Sequence, residues 1–165
     1  MYLLGQGHIT EIKDLYHIQP SKFAQVNAPN LRRLEIGNYQ VRSENKDLTT
    51  TLLSISGCDM LEYLDVSYCT NVSFDSLELS KATMLKTLHA EGCSNLAKVS
   101  LPDGGYLQHV YLPSIQTLMF RNQPRLETVS LESTNNIKTV NIKGNTGNLD
   151  VVSLLLARTN ASGKT

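Results

Sequence analysis

The stretch Met60–Val72 reads MLEYLDVSYCTNV, and its apolar residues Leu61, Leu64, Val66 and Cys69 fall at offsets 0, 3, 5 and 8. Whether this is one amphipathic segment or one copy of a repeat decides the fold, so self-similarity is tested first. The same template fits Leu85/Leu88/Ala90/Cys93, Ile137/Val140/Ile142/Asn145 and, with a weaker first position, Thr50/Leu53/Ile55/Cys58. Its first three positions recur at Leu31/Leu34/Ile36, Phe74/Leu77/Leu79, Leu96/Val99/Leu101, Leu107/Val110/Leu112, Ile115/Leu118/Phe120, Leu126/Val129/Leu131 and Leu149/Val152/Leu154. From Thr50 onward the starts are 11, 13, 11, 11, 11, 8, 11, 11 and 12 residues apart. The chain is a repeat.

Each copy reads as a short strand and a turn. Leu64 and Val66 alternate with Tyr63 and Asp65, the period-2 signature of a half-buried strand, while Leu61 plugs the preceding bend. Gly, Asn, Asp and Ser crowd the intervals SGCD, SYCTN, EGCSN, PDGG, STNN and GNTGN, which are turn chemistries. A unit this short cannot bury its apolar side alone and must stack on copies of itself.

Fifteen basic and fifteen acidic residues cancel, which removes the electrostatic footprint of a nucleic-acid binder. No apolar run is long enough to span a bilayer, and MYLLGQGHITEIK lacks the basic and apolar regions of a signal peptide. The expectation is therefore no nucleic-acid partner and no membrane insertion. Cys58, Cys69 and Cys93 are an odd number at wide spacing, unlike a disulfide framework or a CxxC metal site. All three occupy the ninth template position, where they read as small buried thiols closing a turn.

The pattern LxxLxVxxC, with its LxxLxIxxN variant, resembles the leucine-rich repeat over residues 31–154. The resemblance implies that residues matching Leu61, Leu64, Val66 and Cys69 point into the coil, and that the Cys or Asn position satisfies backbone groups along the turns. Two 11-residue half-units make about 22 residues, the length of one leucine-rich coil. The expected fold is a leucine-rich-repeat-type solenoid with strands on two sides and little helix. One ladder would hold the strands of the copies starting at 61, 85, 107, 126 and 149, the other those starting at 50, 74, 96, 115 and 137. The segment LPDGGYLQHVYLPSIQTL looks like short bacterial leucine-rich variants whose strands face each other across a narrow coil. Ala90 in place of a branched residue, the polar insertion at about 37–49 and the short step from 107 to 115 depart from the pattern. Residues 1–30 are read as a capping or linking segment, and residues 155–165 as a segment leading into further sequence. The only candidate helix is VVSLLLAR near the end.

A narrower resemblance runs through HITEIKDLYHIQP, NAPNLRRLEIGN, LEYLDVSYCTNV and the segment containing PDGG…LP and RNQPRLE. In this order they are similar to leucine-rich segments of very large tail or virion proteins of gut bacteriophages. The resemblance implies that the chain is an excerpt, located in a virion and tail-associated, and that it works within a larger assembly.

Enzymatic readings find little. The terminal SGKT lacks the earlier glycine of a phosphate loop, since Arg158 stands there. His8, His17, His89 and His109 are scattered without metal-ligand spacing, and no serine or cysteine is joined to a base and an orienting third group. Asn71-Val72-Ser73 and Asn160-Ala161-Ser162 match the glycosylation sequon, a triplet common by chance. The expectation is no catalytic residues, no cofactor and no metal.

One constellation stands out. With the strands of copies 61, 85 and 107 in register, Tyr63, Asp65, Thr87, His89, His109 and Tyr111 would lie side by side at about 4.8 Å per strand. Such a strip either docks a partner, since aromatics are enriched where partners bind, or stabilises the sheet face through cross-strand pairs. Two functional readings follow. The first is a non-enzymatic structural or adhesive module that offers a rigid surface to another virion or surface protein or to a surface glycan. The second is the recognition domain of a bacterial cell-surface or effector protein attached to an enzyme.

Overall fold

The computed structural model describes residues 3–4, 8–13, 26–37, 57–69, 76–132, 138–141 and 144. The copies starting at 50 and 149, most of the 37–49 insertion, the two sequons and the 155–165 segment with its candidate helix lie outside the described residues. Twelve short strands run through the rest. They are β1 (Leu3–Leu4), β2 (Glu11–Ile12), β3 (Val26–Asn27), β4 (Arg33–Glu35), β5 (Tyr63–Asp65), β6 (Ser76–Glu78), β7 (Thr87–His89), β8 (Lys98–Ser100), β9 (His109–Leu112), β10 (Thr117–Met119), β11 (Thr128–Leu131) and β12 (Thr139–Asn141). Every pairing is parallel, and no helix occurs among the described residues.

The chain is a parallel β-solenoid. Its main ladder is a six-stranded sheet in the order β11-β9-β7-β5-β4-β2, with Leu34, Leu64, Leu88, Val110 and Val129 in one register row. Register partners along it are 22, 30, 24, 22 and 19 residues apart, from Glu11 to Arg33, Tyr63, Thr87, His109 and Thr128. The widest interval holds the polar insertion. An interval of that length is compatible with the register because loop-closure cost grows only slowly with length. The copy starting at 31 and the strand Glu11–Ile12 thus extend the ladder beyond the copies assigned to it from sequence.

The template residues face the core. Leu61, Leu64 and Val66 are fully buried and Cys69 is 1% exposed, so all four offsets of the opening stretch point inward. Strands of the second side, through Leu77, Leu79, Leu118 and Phe120, pack into the same apolar cluster. A narrow coil with one shared core follows directly from half-units whose single apolar face has nowhere else to go.

Corners repeat as faithfully as strands. The carbonyl at the ninth position accepts the N–H of the residue three further on, at Ala28/Leu31, Cys58/Leu61, Ala82/Leu85, Cys93/Leu96 and Gln123/Leu126. Just before it, the eighth position turns through left-handed backbone at Gly57, Tyr68, Gly92, Asn122 and Gly144. The ninth-position thiols reach along the stack. Cys69 Sγ donates to the Ile36 carbonyl at 3.2 Å and Cys93 Sγ to the Val66 carbonyl at 2.9 Å. Gln123 holds the same place in the second side, where its Nε2 donates to the carbonyls of Pro102 at 2.7 Å and Gly104 at 3.1 Å. All three cysteines are free thiols and buried.

The second ladder departs from the sequence expectation. It was expected to run unbroken through the copies starting at 74, 96, 115 and 137, but it is split into the pairs β6-β8 and β10-β12. The cause is the short step. Five residues separate the sixth position of one copy from the first of the next at Ala90–Leu96 and Phe120–Leu126, but only Pro113 and Ser114 separate Leu112 from Ile115. The chain leaves β9 three residues short of a full corner, and β10 does not pair with β8. Glu132 fills part of the missing corner. Its Oε1 accepts the Gly92 N–H at 2.8 Å, reaching past one whole coil.

Candidate functional site

The six-stranded sheet carries the predicted strip on its outer face. The register rows place Tyr63, Thr87, His109 and Thr128 side by side, and Asp65, His89, Tyr111 and Ser130 beside them. All six predicted residues therefore share one face and are brought together. They are half-buried rather than projecting freely, because side chains on adjacent strands of a parallel ladder cover one another.

The rings are in contact. Tyr63 and His89 meet diagonally across one strand step, with centroids 5.7 Å apart and planes tilted by 44°. His89 and Tyr111 stack at 4.5 Å and 5°. His89 Nδ1 lies 3.3 Å from Glu91 Oε1, and His109 Nδ1 lies 3.3 Å from Thr128 Oγ1. Burial and the neighbouring Asp65 charge push the Tyr63 phenol above its ordinary pKa. Asp65 is tied down locally, its Oδ1 accepting from the Ser67 N–H at 2.9 Å and the Ser67 hydroxyl at 2.6 Å.

No protein family, curated protein or solved structure matches this chain.

Sequence reading missed the charged half of this face. The Arg33 guanidinium sits 3.7 Å from the Tyr63 ring centroid and pairs with Glu35, and more loosely with Glu11 at 3.5 Å. In the adjacent outward row Glu62 receives Arg32 at 2.5 Å and Lys86 at 2.6 Å. Hydrogen bonds from Lys86 and then Arg32 hold the Glu62 carboxyl below the ordinary carboxylate range. The signal was present in sequence, because Arg33 and Tyr63 occupy the same template position. The insertion between them concealed that their strands are neighbours.

The face combines aromatic, imidazole and charged groups on one ladder. It offers flat rings, two hydrogen-bonding imidazoles and alternating charges on a stiff ladder. Among the described residues no group of three or more His, Cys, Asp and Glu side chains is placed to hold a metal ion, and no helix is long and apolar enough to cross a membrane.

Proposed function

We propose that this chain is a leucine-rich-repeat-type, non-enzymatic interaction module that binds a protein or a surface glycan through the outer face of its six-stranded sheet. The observation that carries the reading is the unbroken contact series Arg33–Tyr63–His89–Tyr111 across four adjacent strands. Stacked rings and a guanidinium fixed on a rigid ladder lose little conformational freedom on binding, which is the economy expected of hot-spot residues. The flanking pairs of Glu62 and Arg33 supply a polar rim. Placement in a bacteriophage virion, tail-associated, rests on the sequence resemblance through PDGG…LP and RNQPRLE, and it agrees with a module that works by shape.

Two experiments test this. The native chain and a Tyr63→Ser/Tyr111→Ser variant of unchanged circular dichroism are compared on a glycan array and against a random peptide library. Binding that disappears with the two rings supports the reading. Binding that survives their loss, or none to either array, overturns it. For the placement, mass spectrometry of purified particles of the encoding phage should recover peptides of this chain, and their absence from the particle removes the virion assignment.

A further inference from the structure

The ring series on the six-stranded face stops one strand before β11. Tyr63 has the Arg33 guanidinium on one side and the tilted His89 ring on the other, and His89 lies between Tyr63 and Tyr111. Among the described residues Tyr111 has a ring against one face alone. Its plane is 5° from that of His89 and the centroids are 4.5 Å apart, close to the spacing of about 4.8 Å between strands. The ring normal therefore runs along the ladder, and the second face of Tyr111 looks out over β11.

Ser130 stands there, as the register partner of Tyr111. The serine hydroxymethyl group is too short to cover a phenol ring that rises from the same sheet face. The row Glu35, Asp65, His89, Tyr111, Ser130 thus ends in a ledge with an aromatic wall and a hydroxyl floor, and both of its last residues are half-buried. The surroundings are polar. Thr128, about 6.6 Å from Ser130 along the same face of the strand, has its Oγ1 3.3 Å from His109 Nδ1, and His109 Nε2 lies 3.8 Å from Glu127 Oε2. Val129 and Leu131, the apolar residues of β11, are buried in the core, so no aliphatic side chain of that strand reaches the ledge.

We propose that this ledge binds a neutral hexopyranose residue of a surface glycan, stacked on the face of Tyr111 turned away from His89. The inference rests on the reading of the six-stranded sheet as a binding face and narrows its occupant. A pyranose ring matches the two-sided character of the ledge. Its axial C–H groups carry partial positive charge and suit the negative face of an aromatic ring. Its hydroxyls spread around the ring edge, within reach of the Ser130 and Thr128 hydroxyls, each of which both donates and accepts. One sugar ring takes the place that the next aromatic ring of the row would fill. An aromatic side chain of a protein would share the stacking but make no use of the hydroxyls. Glu127 and Glu132 flank β11, and their carboxylates disfavour an anionic sugar.

The native chain, Ser130→Tyr, Tyr111→Ser and Tyr63→Ser are compared on an array of neutral oligosaccharides of β-linked glucose, galactose and N-acetylglucosamine, with sialylated and sulfated ones beside them. Ser130→Tyr supplies the next ring of the row from an outward position and leaves the core and the existing stack in place. Neutral saccharides should bind the native chain, and should bind Ser130→Tyr and Tyr111→Ser at least about tenfold more weakly. Tyr63→Ser, two strands away, should bind as the native chain does. A measurement on the native chain needs no variant: in the NMR spectrum the saccharide should move the Tyr111 ring and Ser130 amide signals more than those of Tyr63, and its own C–H protons should shift upfield. Binding of no saccharide, preference for anionic ones, shifts centred on Tyr63, or full binding by a Ser130→Tyr variant of native circular dichroism would each overturn the proposal. If peptides bind through the rings and saccharides do not, the ledge falls while the sheet-face reading stands.

Discussion

His89 lies directly opposite Tyr111 in the β7–β9 pairing, and the two rings stack with centroids 4.5 Å apart and planes 5° from parallel. Register alone brings the side chains together, while the parallel planes add a specific contact beyond buried area. A double-mutant cycle through His89→Ala and Tyr111→Ala should return a coupling of about 0.5–1.5 kcal/mol, read from urea unfolding. Strict additivity would mean that the rings merely share a face.

Facing along the main ladder makes a sharper expectation. Leu64 and Leu88 are fully buried, so truncating either to alanine should cost about 2–5 kcal/mol. Thr87→Ala and Thr128→Ala alter half-buried outward positions and should each cost less than about 1 kcal/mol. Ala90, also fully buried, fills a place held by larger residues in other copies, and Ala90→Val should overpack it by about 1–3 kcal/mol. Urea midpoints measured at unchanged slope decide the matter. Equal losses at inward and outward positions would require every strand to turn over by one residue.

The repeat was legible because three buried offsets recur whatever the outward residues are, and the copies starting at 61, 85, 107 and 126 indeed form one ladder. Two things were hidden for different physical reasons. The short step from 107 to 115 is visible in sequence, but its consequence depends on how the coil absorbs three missing residues, and here it gives up the β8–β10 bonds. The left-handed eighth position is announced by Gly57 and Gly92 but masked by Tyr68 and Asn122, which adopt the same backbone with a side chain. The ring strip was readable from alternation, whereas its Arg33 end was not, because sequence distance says little about stacking order in a solenoid with an insertion.

Gly92 tests that eighth position. Its φ is +73°, and an added Cβ would fall inside the Tyr68 ring of the preceding coil. Gly92→Ala should therefore destabilise through two additive causes, about 1–2 kcal/mol from left-handed backbone and a further loss from displacing the ring. Adding Tyr68→Ala should recover the second part only. If the double variant regains full stability on thermal unfolding, backbone conformation at residue 92 carries no cost.

Glu62 contributes to the acid limb of stability. Lys86 and Arg32 lower its pKa in the folded chain from 4.5, so the folded state holds the carboxylate more willingly than the unfolded one. The stabilisation is therefore complete above that unfolded value and is lost as pH falls through the folded one. Because the pair partners are substantially exposed, added salt should shrink the effect. Thermal unfolding of Glu62→Gln, followed from about pH 6 down to about pH 2, should show a shallower acid decline than the native chain. Parallel curves would mean the ion pairs contribute nothing.

Cys93 acts at the other end of the scale. Burial pushes its thiol from 9.0 up to about 11, and its Sγ donates to the Val66 carbonyl, a bond that ionisation would remove. Between those two values the unfolded chain has released the proton while the folded chain keeps it. The folded state then binds more protons, so stability falls as pH rises through this window and is fully present below it. Two pH units at 1.36 kcal/mol each set a ceiling of about 3 kcal/mol for this one group. Cys93→Ala abolishes the contribution while leaving the other alkaline titrations in place. Urea unfolding at about pH 8 and about pH 10.5 should therefore show a smaller alkaline loss in Cys93→Ala than in the native chain, although the variant starts less stable. The same burial should keep all three thiols slow toward a disulfide reagent until the chain is unfolded. Rapid labelling of the folded protein, or an identical alkaline loss in both chains, would show that the ninth position is open to solvent and does not seal the coil.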